Sequence, residues 1–244
     1  VPLETLLSKE YSAERRALVG EEASDEYRPG SGRLPSLVEA TVTPGAGEPT
    51  RGDTCHLDVV DRWGNVISAT PSGGWLHSSP VIPALGWPLG TRAQMFWLEE
   101  GLPTSLRPGA RPRTTLSPGL ALRDGRPYLA WGTPGGDQQE QWALHVFLNH
   151  VDRGLDLQQS IDDPDFHTDH LISSFYPRGF ARRSLTVEER FGADVVADLR
   201  RRGHEVEVAG PWSLGRVTAV AREADGLLKA GANPRGMQGY AVGR

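Results

Sequence analysis

The residues best placed for chemistry lie in Gly52-Asp53-Thr54-Cys55-His56-Leu57-Asp58-Val59-Val60-Asp61, where a small hydroxyl residue stands between a Gly/Pro/Ser-rich stretch and an apolar strand. A threonine hydroxyl is a weak nucleophile until a base removes its proton. If the Asp53–Thr54 peptide is broken, Thr54 gains a free α-amine beside its own hydroxyl, and that amine can be the base. An α-amino group titrates at about 7.7–8.0, close to working pH, so no histidine is required. The same hydroxyl can break the bond itself by attacking the preceding carbonyl, giving an ester that water releases.

Acyl transfer also needs donors aimed at the oxyanion. Gly132-Thr133-Pro134-Gly135-Gly136-Asp137 follows an expected strand and opens an expected helix, so consecutive N–H groups there can face a developing negative charge. Other combinations carry less. Cys55 and His56 are adjacent on a strand, so their side chains point to opposite faces and cannot form a dyad. The run Asp162–His170 is rich in metal-ligand types, but Pro164 interrupts any helix that would align His167 with His170. His145 and His150 fall on a helix with an apolar face and read as ordinary half-buried histidines. Neither a metal nor a cofactor is expected.

These groups need a frame. Leu3, Leu6, Leu7, Tyr11, Ala17 and Leu18 predict one amphipathic helix over residues 3–19, and the composition of residues 20–53 predicts an exposed linker. Leu57–Val60 and Val66–Ala69 predict a hairpin. Two more follow, over 120–132 around Asp124-Gly125 and over 217–231 around Asp225-Gly226. Helices are expected over 138–151, 157–162 and 193–202, the last stopped by Gly203. Hairpins with segregated helices predict an α+β fold with largely antiparallel sheets.

The chain has 244 residues, 38% apolar and 23% charged, with a net charge of -5. That balance and the short basic run Arg200–Arg202 argue against a nucleic-acid partner, and no apolar run is long enough to span a membrane. Cys55 is the only cysteine, which excludes an internal disulfide. With no leader visible at Val1, a cytoplasmic location is expected.

From Gly52 to about Arg235 the sequence resembles the small subunit of the gamma-glutamyltransferases, which are N-terminal nucleophile hydrolases. Thr54–Asp61 with Gly64-Asn65 is similar to the family's nucleophile strand and turn. Arg111-Pro112-Arg113-Thr114-Thr115-Leu116-Ser117-Pro118 is similar to its substrate-contacting stretch, and Pro134-Gly135-Gly136 to its oxyanion loop. Pro164-Asp165-Phe166-His167 and Asn233-Pro234-Arg235 complete five motifs in family order.

The resemblance implies a four-layer αββα sandwich and self-cleavage between Asp53 and Thr54. Residues 54–244 would form the catalytic subunit and residues 1–53 the end of the large subunit, the rest of which would be a partner from the same precursor. It implies Thr54 as nucleophile, Ser72 as supporting hydroxyl, Gly135 and Gly136 as oxyanion donors, and Gln94, Thr114 and Thr115 as substrate contacts. The substrate would be a small amide with a γ-glutamyl or related acyl group. Two positions depart from the pattern. Trp97 stands where a carboxylate would hold the substrate ammonium, with Glu99 or Glu100 as possible replacements, and Gly74 stands for an asparagine. Trp75 and Trp97 are therefore candidates to face substrate, and the sequence is more similar to the oxamate amidohydrolase and cephalosporin acylase branch than to the transferases. A non-catalytic subunit that keeps the fold without cleaving is the alternative.

Overall fold

A computed structural model describes residues 2–30, 54–73, 79–176, 178–237 and 239–243. Two short helices, α1 (Leu3–Leu6) and α2 (Lys9–Arg16), open the chain, and neither buries a residue. The single expected helix is broken at Ser8, whose extended backbone makes it an N-cap: its Oγ accepts from the Tyr11 N–H at 3.1 Å.

Strands β1 (Leu57–Val60) and β2 (Val66–Ala69) form the first expected hairpin. After the small hairpin β3 (Val81–Ile82) and β4 (Trp87–Pro88) comes a 3-10 turn over Arg92–Met95. Strands β5 (Gly119–Arg123) and β6 (Arg126–Gly132) are joined by Asp124-Gly125, both at positive φ, which suits the right-handed twist of a two-residue hairpin. Helices α3 (Gln139–Val151) and α4 (Leu157–Asp162) follow, the second opened by a reciprocal capping box between Asp156 and Gln159. Next come β7 (Phe166–His167), β8 (Ser184–Glu188), α5 (Ala193–Arg201) and β9 (Glu205–Ala209). The chain closes on the third expected hairpin, β10 (Thr218–Arg222) and β11 (Leu228–Ala232).

The central sheet runs β11-β10-β6-β5, antiparallel throughout. Helices α3 and α4 cover one face, and Leu129, Val146, Leu157, Ile161, Val217, Ala219 and Ala221 form the core between them. Each large aliphatic among them contributes about 1.5–3 kcal/mol by leaving water. The β1-β2 hairpin lies across the other face of the sheet. The described residues thus stack as helices, sheet and hairpin, three of the four layers of an αββα sandwich. The outer face of the hairpin is apolar and open, with Leu57, Val59 and Ile67 each about half exposed.

A three-stranded sheet, β7-β8-β9, stands beside this stack, with β8 and β9 parallel. It was not foreseen: Ser184–Glu188 does alternate polar and apolar residues, but the strand is only five residues long and its polar face is buried as well. Residues 20–30, expected as exposed linker, are held against this region. The Ala23 N–H donates to the Arg202 carbonyl at 2.8 Å, Arg183 pairs with Asp25 at 3.1 Å, and the Tyr27 hydroxyl donates to the His170 carbonyl at 2.7 Å. Tyr27 also packs its ring on His170 and edge-on to Phe180. The remainder of the expected linker, residues 31–53, lies outside the described residues.

Candidate active site

The register of the first hairpin places the nucleophile candidate. Leu57 pairs with Ala69 and Asp58 with Ser68, and the same antiparallel ladder continues to a bridge between Thr54 and Ser72. Because side chains alternate along a strand, Thr54, His56 and Asp58 share one face with Ser72, Thr70 and Ser68. That face turns toward the central sheet. Thr54 Oγ1 lies 2.6 Å from Ser72 Oγ, so the two hydroxyls are hydrogen-bonded and either can donate.

Behind them is a buried polar row. His56 Nδ1 is 2.7 Å from Thr70 Oγ1, and His56 Nε2 is 2.9 Å from Asp58 Oδ2, with both side chains about 1% exposed. Thr218 of β10 reaches across to donate to the same carboxylate oxygen at 3.1 Å. Asp58 Oδ2 and His56 Nε2 share one hydrogen bond, and Nδ1 and the Thr70 hydroxyl share the other. The second oxygen, Asp58 Oδ1, is buried without a partner among the described residues. Gly132 makes room for the imidazole: a Cβ there would lie 2.4 Å from His56 Cε1. Cys55 points the other way and is exposed, as expected from strand alternation.

From Gly132 the chain runs through Thr133 and Pro134 to Gly135 and Gly136. Gly135 has a φ of 139°, and a Cβ on it would strike the Trp142 ring at 2.8 Å, so only glycine fits. No hydrogen bond links the N–H of Gly135 or Gly136 to a described group. Gln139, at the first turn of α3 and 1% exposed, donates to the Gly135 carbonyl and accepts from the Ser117 N–H at 3.3 Å. It therefore ties the Thr114–Ser117 stretch to the glycine turn. Thr115 is buried and Thr114 exposed, its Oγ1 accepting from the Leu116 N–H.

Gln94 and Trp97 sit at and just after the 3-10 turn. That turn begins next to the Ser72–Gly73 step, where a Cβ on Gly73 would lie 2.6 Å from Thr91 Oγ1. Gln94 is exposed and Trp97 half-buried. Arg178, at a φ of 68°, holds this segment: its Nη2 donates to the Gln94 carbonyl at 2.7 Å and the Phe96 carbonyl at 2.9 Å, and its guanidinium lies 4.7 Å from the Trp97 ring centroid. Glu99 and Glu100 already have partners, in a loop closed by Leu106 N–H to the Trp97 carbonyl. Asp53, Gly74 and Trp75 lie outside the described residues.

The remaining candidates resolve into structural roles. His145 Nδ1 bonds Asp165 Oδ1 at 2.6 Å, and His150 lies 2.6 Å from the Tyr128 hydroxyl. His167 neighbours Asp169 at 3.6 Å, while His170 accepts from the Arg183 N–H, so the two are engaged separately. Two of the resembling motifs meet in a buried lock. Arg235 donates from Nε to Glu188 Oε1 at 2.9 Å and from Nη1 to the Ile161 carbonyl at 2.6 Å, while the Asp165 N–H and Arg190 also reach the Glu188 carboxylate. Glu188 is fully buried. Burial raises its pKa, but the bonds from Arg235, the Leu214 N–H and Arg190 outweigh that and hold it below its ordinary value.

The chain's relatives share this arrangement of elements. A family model described as gamma-glutamyltranspeptidase matches residues 1–243. The chain is 30% identical over 246 residues to the glutathione hydrolase-like YwrD proenzyme of Bacillus subtilis, covering 100% of this chain and 42% of that protein. It is 34% identical over 204 residues to the oxamate amidohydrolase proenzyme of Klebsiella pneumoniae, covering 82% and 37%. Among solved structures, LmbA2991HD superposes with a TM-score of 0.91 at 61% identity, covering 100% of this chain and 44% of that one. The cephalosporin acylase of Bacillus halodurans gives 0.69 at 29% identity, covering 96% and 38%. The chain thus spans about two fifths of the length of these relatives. The fold is that of the N-terminal nucleophile hydrolases, and the chain belongs to the gamma-glutamyltranspeptidase family.

Proposed function

We propose that this chain carries the catalytic part of an amide hydrolase or acyltransferase that activates itself by cleavage between Asp53 and Thr54. The observation that carries the reading is the 2.6 Å contact between Thr54 Oγ1 and Ser72 Oγ at the end of the β1-β2 ladder. In the precursor, Thr54 Oγ1 attacks the Asp53 carbonyl, the C–N bond breaks, and the released nitrogen takes the proton. Water then opens the ester, leaving a carboxylate at Asp53 and a free amine and hydroxyl on Thr54. Residues 54–244 become one piece, and residues 1–53 end the other.

In the mature site the α-amine takes the hydroxyl proton as Oγ1 attacks an amide carbonyl, and returns it to the leaving amine. Ser72 shares the hydrogen bond that orients Oγ1. The Gly135 and Gly136 N–H groups are the donors for the tetrahedral oxyanion, and Gln94, Trp97, Thr114 and Thr115 line the acyl side. Water or an amine resolves the acyl-enzyme. The relatives named above include a glutathione hydrolase-like proenzyme, an oxamate amidohydrolase proenzyme and a cephalosporin acylase, names that support an amide or related acyl substrate. The remainder of the precursor is the expected partner and would cover the apolar outer face of the hairpin. No cofactor is needed.

Intact-mass spectrometry of the full-length precursor tests this, with wild type beside Thr54→Ala. A fragment beginning at Thr54 in the wild type alone is expected. If wild type and variant both stay whole, the Thr54 α-nitrogen is an amide without basicity, and the hydrolase reading fails.

A further inference from the structure

Asp137 directly follows the Gly135–Gly136 turn, and the chemistry proposed above gives it no part. Its carboxylate nonetheless gathers three donors from one loop. Oδ2 accepts from the Ser173 hydroxyl at 3.1 Å and the Ser174 N–H at 2.8 Å, and Oδ1 accepts from the Ser174 hydroxyl. Ser174 is 4% exposed, so these bonds are made away from water. The loop is closed on itself by the Ser173 N–H, which donates to the Gly179 carbonyl at 2.8 Å, and by the Arg178 N–H, which donates to the Phe175 carbonyl at 2.7 Å. Its other end carries Arg178, whose guanidinium donates to the carbonyl of the same Ser174 and to those of Gln94 and Phe96. A continuous path of hydrogen bonds therefore runs from the residue after the glycine turn, through Ser174 and Arg178, to the segment of Gln94 and Trp97. Gln138 fastens to the base of the same loop, its Nε2 donating to Asp169 Oδ1 at 2.7 Å.

We propose that Asp137 is a positioning residue: through Ser174 and Arg178 it sets the glycine turn and the Gln94–Trp97 segment against each other, so that loosening either end misplaces both. The proposal rests on Thr54 being the nucleophile and on the Gly135 and Gly136 N–H groups facing the oxyanion. A carboxylate suits the task. It only accepts, so its two oxygens take all three donors without competition, and bonds to an ionised acceptor are roughly twice as strong as neutral ones. An asparagine would turn an NH2 group toward one of the donors. Arg178 stands at a φ of 68°, a backbone region that a bulky side chain keeps only where its surroundings over-determine it, as the three carbonyls do here. Arg113 adds little, since it stands 3.8 Å from Asp137 and its side chain is 43% exposed. Oxyanion donors tolerate little displacement, a shift of about 1 Å costing on the order of a hundredfold in rate. A negative charge just ahead of α3 also stabilises that helix terminus, and this role alone would move melting temperature without moving the rate.

The test uses the self-cleaved full-length enzyme and p-nitrophenyl acetate, whose acetyl group has no side chain for Gln94 or Trp97 to hold. Nitrophenolate release is measured per Thr54 N-terminus, counted by intact mass, well below the melting temperature of every variant. Asp137→Ala should lower kcat/KM about 10–100-fold, with Asp137→Asn between it and wild type. Arg178→Gln should lower it about tenfold from the far end of the path, and the double variant should be no slower than Asp137→Ala, because both changes cut one path. Ser174→Ala removes one donor and leaves the Asp137 charge beside α3. It should be slowed roughly 3–10-fold, and it keeps the test valid if Asp137→Ala does not fold or self-cleave. A wild-type rate in Arg178→Gln, or additive losses in the double variant, overturns the coupling. A lowered melting temperature with an unchanged rate in Asp137→Ala or Ser174→Ala also overturns it, while leaving Thr54 as nucleophile. So does a wild type that self-cleaves yet gains no acetyl group on Thr54. A wild type in which no fragment begins at Thr54 overturns the nucleophile reading itself.

Discussion

Gly132 and His56 approach so closely that one added methyl group on the glycine would lie 2.4 Å from the imidazole Cε1. The contact joins the central sheet to the hairpin that bears Thr54, two residues from His56. A side chain at 132 would push the ring off both Thr70 and Asp58, and the hairpin with it.

Gly132→Ala is therefore expected to cost about 1–3 kcal/mol, the usual penalty for overfilling a packed interior. It should slow appearance of the Thr54 fragment by more than that stability loss explains. A melting curve beside a cleavage time course separates the two effects. Normal cleavage in a destabilised variant would show that the His56 row does not position Thr54.

Ser72→Ala removes the hydroxyl that is hydrogen-bonded to Thr54. A hydrogen bond to a group gaining charge is worth about 1.5–3 kcal/mol, so the cleavage rate should fall ~10–100-fold, and Ser72→Thr should restore most of it. Melting temperature should change little, since Ser72 is only half-buried. An undiminished rate in Ser72→Ala would remove Ser72 from the mechanism.

The Glu188–Arg235 lock predicts a pH dependence whose sign is set by the lowered Glu188 pKa. A carboxylate with a folded pKa below its unfolded value of about 4.3 adds stability that is complete above that value. The stability is lost as pH falls through the folded value. The advantage of wild type over Glu188→Gln in urea midpoint should thus be full near neutrality and shrink below about pH 4. Arg235→Ala, which strands a buried charge, should cost about 3–5 kcal/mol at neutral pH.

Burial raises the Tyr27 phenol above its ordinary pKa, with Arg182 opposing the shift. An ultraviolet titration should show a late-ionising component that is lost in Tyr27→Phe. Tyr27→Ala should make residues 20–30 more susceptible to protease. Equal digestion of wild type and Tyr27→Ala would mean that this ring does not hold the segment down.

Much of the frame was legible because it is built from local signals. Asp124-Gly125 marks a two-residue turn, Gly203 stops α5, and Leu57–Val60 with Val66–Ala69 encloses a turn. The pairing of Thr54 with Ser72 came from family resemblance, since nothing within either segment brings residues 18 apart into contact. Asp58, Thr70, Thr218 and Gln139 were missed for the same reason. Each is a common polar residue whose role depends on what stands across the sheet, and His56–Asp58 at i, i+2 was the one available clue, the spacing of a shared strand face. Arg178 follows a loop with no pattern, and its importance comes from carbonyls more than eighty positions away.

The docking of residues 20–30 has a consequence for what happens to the two pieces after a cut before Thr54. The hydrogen bonds from Ala23 and Tyr27 and the Arg183–Asp25 pair do not depend on the peptide that would be broken. Scission would change the connectivity of the polypeptide without dissolving the assembly. The fragments would copurify in equal amounts under native conditions and part only in denaturant, and their recombination afterward would be a bimolecular event paying the association entropy that the intact precursor never faces. Maturation on this scaffold would be a one-way step, taken while the halves are still one molecule.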